Sequence, residues 1–208
     1  MERQTKSVSP LLAELFSSKV RATVLQRVLP RPHLAHSLTD LSRLLGLPSS
    51  SLQHECYKLE RIGVLRARRV GSSRLYRVDP TCPVLPELTA LVVAAIGQEE
   101  ALRSTLEGVA GLEAAFIAKA LPLAADEGDA RISPIPLVLI GEVALEEIEA
   151  IQERVTSLLR LAPGTIEAVF YRAGDWRSRL DQQSQYAVWL ISGPRTDLLG
   201  DPLAAASG

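Results

Sequence analysis

The stretch Leu38-Thr39-Asp40-Leu41-Ser42-Arg43-Leu44-Leu45-Gly46-Leu47-Pro48-Ser49-Ser50-Ser51-Leu52-Gln53-His54-Glu55-Cys56-Tyr57-Lys58-Leu59-Glu60-Arg61-Ile62-Gly63-Val64-Leu65 decides the fold. Ser37, just before it, offers a hydroxyl N-cap. Asp40 puts a carboxylate in the first helical turn, where unsatisfied N–H groups and the helix dipole favour it. Leu38, Leu41, Leu44 and Leu45 recur at helical spacing, so a short helix runs to Gly46. Gly46-Leu47-Pro48 then reads as a turn. Ser49, Ser50 and Ser51 offer N-caps for a second helix that runs to Gly63, with the apolar stripe Leu52, Cys56, Leu59 and Ile62. Its other face shows Ser50, Ser51, Gln53, His54, Tyr57, Lys58 and Arg61, with Glu55 and Glu60 as its acids.

Working outward, Val64–Val70 and Arg74–Val78 read as strands joined by Gly71-Ser72-Ser73, a hairpin signal. This hairpin carries Arg66, Arg68, Arg69, Arg74 and Arg77, while Leu65, Ala67, Leu75 and Tyr76 are available for packing. Upstream, Leu11, Leu12, Leu15, Phe16, Val20, Val24, Leu25, Val28 and Leu29 fit one helix opened by Pro10 and ended by Pro30. A helix presenting Ser, Gln and Lys at its N-terminal end has the donors and acceptors that a major groove displays partners for. A basic two-stranded ribbon beside a helix-turn-helix makes a winged helix, whose wing neutralises phosphates or reaches the minor groove.

Residues 15–80 resemble the ArsR-like winged-helix regulators, with helix, turn, recognition helix and wing in order. The resemblance implies a homodimer on double-stranded DNA, with a palindromic operator, and DNA contacts from Ser50, Ser51, Gln53, His54, Tyr57, Lys58, Arg61, Arg68, Arg69 and Arg74. Metal-sensing members use cysteine clusters. Here Cys56 sits alone on the core stripe, and His33, His36 and His54 do not converge on it, so no metal site is expected.

Composition frames this reading. The chain has 208 residues, 47% apolar and 23% charged, which is the balance of an ordinary globular protein. Its net charge of −1 hides an asymmetry. Residues 1–80 hold 14 Lys/Arg against 6 Asp/Glu, and residues 81–208 hold 9 against 18. A basic part followed by an acidic part suggests two domains with different partners, and the basic one is the nucleic-acid candidate. No run of about 18 uncharged apolar residues is present, so no transmembrane span is expected. Two cysteines, Cys56 and Cys82, give no disulfide framework. No signal peptide is read at Met1–Lys6, and a reduced, cytoplasmic protein without a membrane partner is expected.

Past Pro83 and Pro86, the apolar run Leu88–Ile96 reads as a helix suited to dimerisation, followed by a helical stretch Glu99–Glu107. Ala114–Ala118, Ile135–Gly141 and Thr165–Tyr171 read as strands. Leu145–Leu161 reads as a helix with Glu146, Glu147, Glu149 and Glu153 outward, and two closing helices lie near Trp176–Gln182 and Tyr186–Ile191. Interleaved strands and helices indicate an α/β or α+β domain.

This order resembles the minimal nucleotidyltransferase fold, as does Ser133-X-Ile135-X-Leu137-Val138-Leu139-Ile140-Gly141-Glu142-Val143. The ending Ser192-Gly193-Pro194-Arg195…Leu198-Leu199-Gly200 is similar to regulators that join a winged helix to that domain. In the family, a Gly-Ser turn after the first strand cradles the triphosphate, and two aspartates at the second strand hold Mg²⁺. This chain has Ala118-Lys119 and then Pro134 and Pro136 at those places. Proline offers neither a carboxylate nor an N–H. Asp126, Glu127 and Asp129 read as a solvated loop. The resemblance therefore implies a degenerate, non-catalytic domain with no cofactor.

The expectation is an α+β protein: a winged helix-turn-helix over 1–82, and a linker helix with a nucleotidyltransferase-like domain over 83–208. It is expected to act as a homodimeric transcriptional regulator, not an enzyme, with a small molecule or a protein as effector. The alternatives are an active nucleotidyltransferase guided by the basic module, and an antitoxin-like protein-interaction module.

Overall fold

The computed structural model describes residues 8–118 and 134–205. It is a mixed α+β chain with nine helices and two small sheets among these residues. The chain divides into two compact units, Met1–Ser104 and Thr105–Gly208.

The first unit opens with α1 (Pro10–Leu15) and α2 (Lys19–Val28). One continuous helix was expected here, and the structure breaks it at Phe16–Ser18. Ser17 has φ +49°, and the Ser18 hydroxyl accepts a hydrogen bond from the Arg21 N–H at 3.2 Å. A serine side chain that caps a new helix competes with continuation of the old one. The Arg21 guanidinium donates to the Phe16 carbonyl at 3.3 Å, which satisfies an acceptor released by the break.

A two-residue strand, β1 (His36–Ser37), leads into α3 (Leu38–Leu45). The expected capping box is present: Ser37 Oγ accepts from the Asp40 N–H at 3.1 Å, and Asp40 Oδ2 accepts from the Ser37 N–H at 3.3 Å. α3 ends at Gly46, whose φ of +65° suits glycine. α4 (Ser49–Arg61) starts from Pro48, which takes the N-cap position expected of a serine and has no side-chain cap bond. Leu52, Cys56 and Leu59 are buried as expected. Ile62 is 63% exposed, because α4 ends at Arg61 and the chain turns there.

β2 (Leu65–Val70) and β3 (Ser73–Val78) form the expected hairpin, in register from Leu65↔Val78 to Val70↔Ser73. β1 adds to the far edge of β3, giving the order β1-β3-β2. α5 (Leu85–Ile96) and α6 (Gln98–Thr105) follow. α5 packs on α1 and α2, so Leu88, Leu91, Val92, Ala95 and Ile96 serve this unit's own core. The compact unit therefore continues past the composition change at residue 82.

The second unit holds β4 (Leu112–Ala118), β5 (Ile135–Gly141), α7 (Leu145–Leu158), β6 (Ile166–Tyr171), α8 (Ala173–Asp181), α9 (Gln185–Ser192) and β7 (Arg195–Leu199). The strand order is β6-β5-β4-β7. β5 and β6 are parallel, so their connection crosses the sheet, and α7 makes it. β4 pairs antiparallel with both β5 and β7. β7 was not read as a strand from the sequence.

On one face Ala114, Phe116, Val138 and Ile140 pack against Trp176, Ala187 and Leu190. The alternate residues Leu137 and Leu139 are equally buried, and α7 packs along β6 with Ile148, Ile151, Val155 and Leu158 inward. Trp176 donates its indole N–H to the Pro202 carbonyl at 2.9 Å, which meets the cost of burying that group. Gly111 and Gly141 lie so close that a Cβ on Gly141 would strike the Gly111 carbonyl oxygen, so the β4–β5 junction has no room for a side chain. No helix among the described residues is long and apolar enough to cross a membrane.

Candidate nucleic-acid interface

The α4 residues expected to read DNA follow from helical spacing. Leu52, Cys56 and Leu59 fix the inner face, so Ser50, Gln53, His54, Tyr57 and Arg61 fall on the outer one. All five are exposed, and Tyr57 keeps 58% of its surface in solvent. An exposed tyrosine amid polar groups on a helix anchored by three buried residues is free to meet a partner. Ser51 and Lys58 are half-buried at the margins of this face.

Lys58 is not a free cation. Its Nζ lies 3.3 Å from Glu55, which also accepts from Arg21 Nε at 2.8 Å. Glu55 was read as part of the outward face, but it is 7% exposed. Arg21 reaches it from α2, thirty-four residues earlier, and makes burial of the carboxylate affordable. Burial pushes the Glu55 carboxyl upward, but the hydrogen bonds from Arg21 and Lys58 outweigh it and hold the group below the usual carboxylate range. Cys56, on the same helix, is pushed up to about 12 by burial, with Glu55 and Glu60 adding to the effect. Its thiol is a packing group and not a nucleophile.

The hairpin sorts its arginines by register. Leu65, Ala67, Tyr76 and Val78 share the face that meets the core, and Arg66, Arg68, Leu75 and Arg77 share the other. Arg68 and Arg69 are exposed and make no ion pair with a described residue. Arg74, expected to contact DNA, places Nη2 at 2.6 and 2.5 Å from the two Glu60 oxygens and lies 5.6 Å from the Tyr76 ring centroid. The Glu60 carboxylate raises its affinity for the proton further. Arg74 thus ties the ribbon to α4.

Arg66 and Arg77 were not placed among the DNA-contacting residues. They stand directly opposite each other and are both exposed. Like charges in that position destabilise a hairpin unless an anion comes between them. The signal was present in the alternation of the two strands, but the register that brings the pair together was not. The nearby Asp79 carboxyl is held low chiefly by hydrogen bonds from Thr81, with a smaller contribution from Arg66 and Arg77.

In the second unit, Ala118 ends β4 and is 3% exposed. Pro134 is exposed just ahead of β5, and Pro136 is buried in β5 opposite Glu167. None of the three side chains carries a donor or acceptor. Lys119, Ser133 and the acidic residues Asp126, Glu127 and Asp129 lie outside the described residues. Among the described residues, no group of three or more His, Cys, Asp or Glu is placed to hold a metal ion. Comparison of the chain with protein-family models, with curated proteins and with solved structures returned no match.

Proposed function

We propose that the protein is a sequence-specific DNA-binding transcriptional regulator. In this reading α3, the Gly46–Pro48 turn and α4 form a helix-turn-helix, and the β2–β3 ribbon is its wing. The observation that carries it is the exposed α4 face of Ser50, Gln53, His54, Tyr57 and Arg61 beside a ribbon whose exposed Arg66, Arg68, Arg69 and Arg77 make no ion pair with a described residue. Gln53 suits an adenine edge, and the arginines suit phosphates.

The regulator acts as a homodimer through α1, where Leu11 and Leu15 are each 56% exposed. A two-fold dimer calls for a palindrome with half-sites ~10 bp apart, or a multiple of that. The second unit is a nucleotidyltransferase-like domain that has lost catalysis. Its antiparallel β4–β5 pair, crossover helix α7 and parallel β6 support the likeness, and Pro134 and Pro136 supply no metal-holding carboxylate. It contributes ligand or partner binding, not transfer chemistry.

The test is recovery of genomic fragments by the purified full-length chain, followed by titration of the recovered sequence and of a scrambled duplex. The expected result is preference for the recovered sequence and a steep fall of affinity with salt. Gln53→Ala should cost ~1–3 kcal/mol on the specific site and little on the scrambled one. Equal affinity for both duplexes at physiological salt defeats the reading.

A further inference from the structure

The second unit carries a polar pocket separate from the proposed DNA-binding face. Over residues 105–208 there are 8 Lys/Arg against 15 Asp/Glu, yet Arg172, Arg177 and Arg179 fall together between the N-cap and the last turn of α8. Asp175, Ser178, Arg179 and Gln182 follow helical spacing and share one face of that helix. With Phe170 and Tyr171 from the end of β6 and Arg172 at the N-cap of α8, they line a pocket of ≈ 680 Å³. Small-molecule sites span roughly 300–1,000 Å³ and are mostly apolar. This one is of that size, but five of its seven lining residues are polar or charged. Such a lining leaves an apolar ligand without partners and suits one rich in hydroxyls and charge.

The two guanidinium groups are available to it. Arg179 is exposed and makes no ion pair with a described residue. Arg172 makes a loose contact with Glu142 at 3.8 Å, with both side chains 69% exposed. An exposed pair at that distance yields readily to a better anion. The pocket is not the site that Ala118, Pro134 and Pro136 would have occupied. Pro136 lies opposite Glu167 at the start of β6, whereas the pocket begins at Phe170, ~10 Å farther along the strand.

We infer that this pocket binds a small phosphorylated, hydroxyl-rich molecule of the sugar-phosphate class. Arg172 and Arg179 form charge-assisted hydrogen bonds with the phosphate, and the Ser178 hydroxyl donates to it as well. The Asp175 carboxylate accepts from ligand hydroxyls, and the Gln182 amide donates to or accepts from them. Asp175 also lowers the net positive charge of the lining, which disfavours a bare polyanion. The inference stands apart from DNA binding; where both hold, the ligand is the effector.

Isothermal titration of the full-length chain with glucose 6-phosphate and ribose 5-phosphate tests this, with glucose, ribose and inorganic phosphate as comparison probes. At least one sugar phosphate should bind saturably, and the unphosphorylated sugars should not. The double variant Arg172→Ala/Arg179→Ala should bind about tenfold more weakly or worse. Arg177→Ala removes one guanidinium of the same helix outside the lining and should leave affinity unchanged. Asp175→Asn should weaken sugar-phosphate binding and leave that of inorganic phosphate unchanged. Thermal melts of the variants verify their folding. The inference is overturned by absence of saturable binding of either sugar phosphate at millimolar concentration. It is equally overturned if inorganic phosphate binds as tightly as the sugar phosphates, or if the double variant binds them like the parent.

Discussion

Strands β2 and β5 are six and seven residues long and put their side chains to opposite use. β5 has a neighbour on each edge and packing on each face, and Leu137–Ile140 are all 0% exposed. β2 has one neighbour and one covered face, so only Leu65 is buried and Arg66, Arg68, Arg69 and Val70 stand in solvent. A strand enclosed on every side contributes to stability and has nothing left with which to meet a ligand. A strand enclosed on one side exposes a row of groups, and what fills that row is open to a partner. Arginines there also guard an open sheet edge against pairing with another chain. The two roles are compatible, and they differ in what happens when the charges are removed.

The enclosed sheet should show the largest effect. Trp176 is fully buried, meets Phe116 and Tyr171, and anchors Pro202 through its indole N–H. Trp176→Ala should cost about 3–5 kcal/mol in the thermal or denaturant unfolding of the second unit. Specific DNA affinity should fall far less than this, since the α4 face and ribbon belong to the other unit. A comparable loss of DNA affinity in well-folded protein would erase the contrast between the two regions.

Within the ribbon, Arg68→Ala/Arg69→Ala should weaken binding to every duplex and lower the slope of log affinity against log salt by about 2, one for each lost phosphate contact. Arg74→Ala removes the same kind of side chain from a Glu60 pair. It should change the slope by less than one such contact and loosen the ribbon, seen as faster amide exchange in β3. Equal slopes for Arg68→Ala and Arg74→Ala would mean that Glu60 releases Arg74 to the DNA. Unchanged affinity and slope in the double variant would leave edge protection as the ribbon arginines' sole role.

The smallest effect concerns the carboxylate that joins α2 to α4. The Glu55 carboxyl sits below its usual range when folded, so it contributes stability above its unfolded pKa, about 4.3, and that contribution is lost as pH falls through the folded value. Asp40 and Asp79 shift in the same direction. Cys56 works in reverse: its raised value stabilises the fold below about pH 8.5, and the benefit fades as pH rises toward 12. These four groups should therefore add no pH dependence of their own between about pH 5 and 8. Glu55→Gln should cost about 1 kcal/mol at neutral pH and flatten the acid limb, as read from denaturation midpoints across pH. An acid limb as steep as the parent's would assign it to other carboxylates.

How much was legible in the sequence follows the range of each interaction. The Ser37–Asp40 capping box, the left-handed Gly46, the Leu52/Cys56/Leu59 stripe and the β2–β3 hairpin are all local. Each is written in residues no more than a few positions apart, or in a simple two-residue alternation. The break at Ser17–Ser18 was masked by an apolar periodicity that runs through it. β1 and β7 were missed because each is short and becomes a strand only through its pairing with β3 or β4. The Phe170–Gln182 pocket needed the end of β6 and one face of α8 to meet at a single opening.

By itself, the sequence determined most of the helical and alternating segments, where the positive charge collects and which faces are apolar, because those properties depend on residue type and short spacing. Only the tertiary structure decided which cations are free. Arg21 meets Glu55 across 34 positions and Arg74 meets Glu60 across 14, while Arg66 and Arg77 are brought opposite each other by the hairpin register. Charge is a property of a side chain, but its availability to a partner depends on what the fold has already placed within hydrogen-bonding distance.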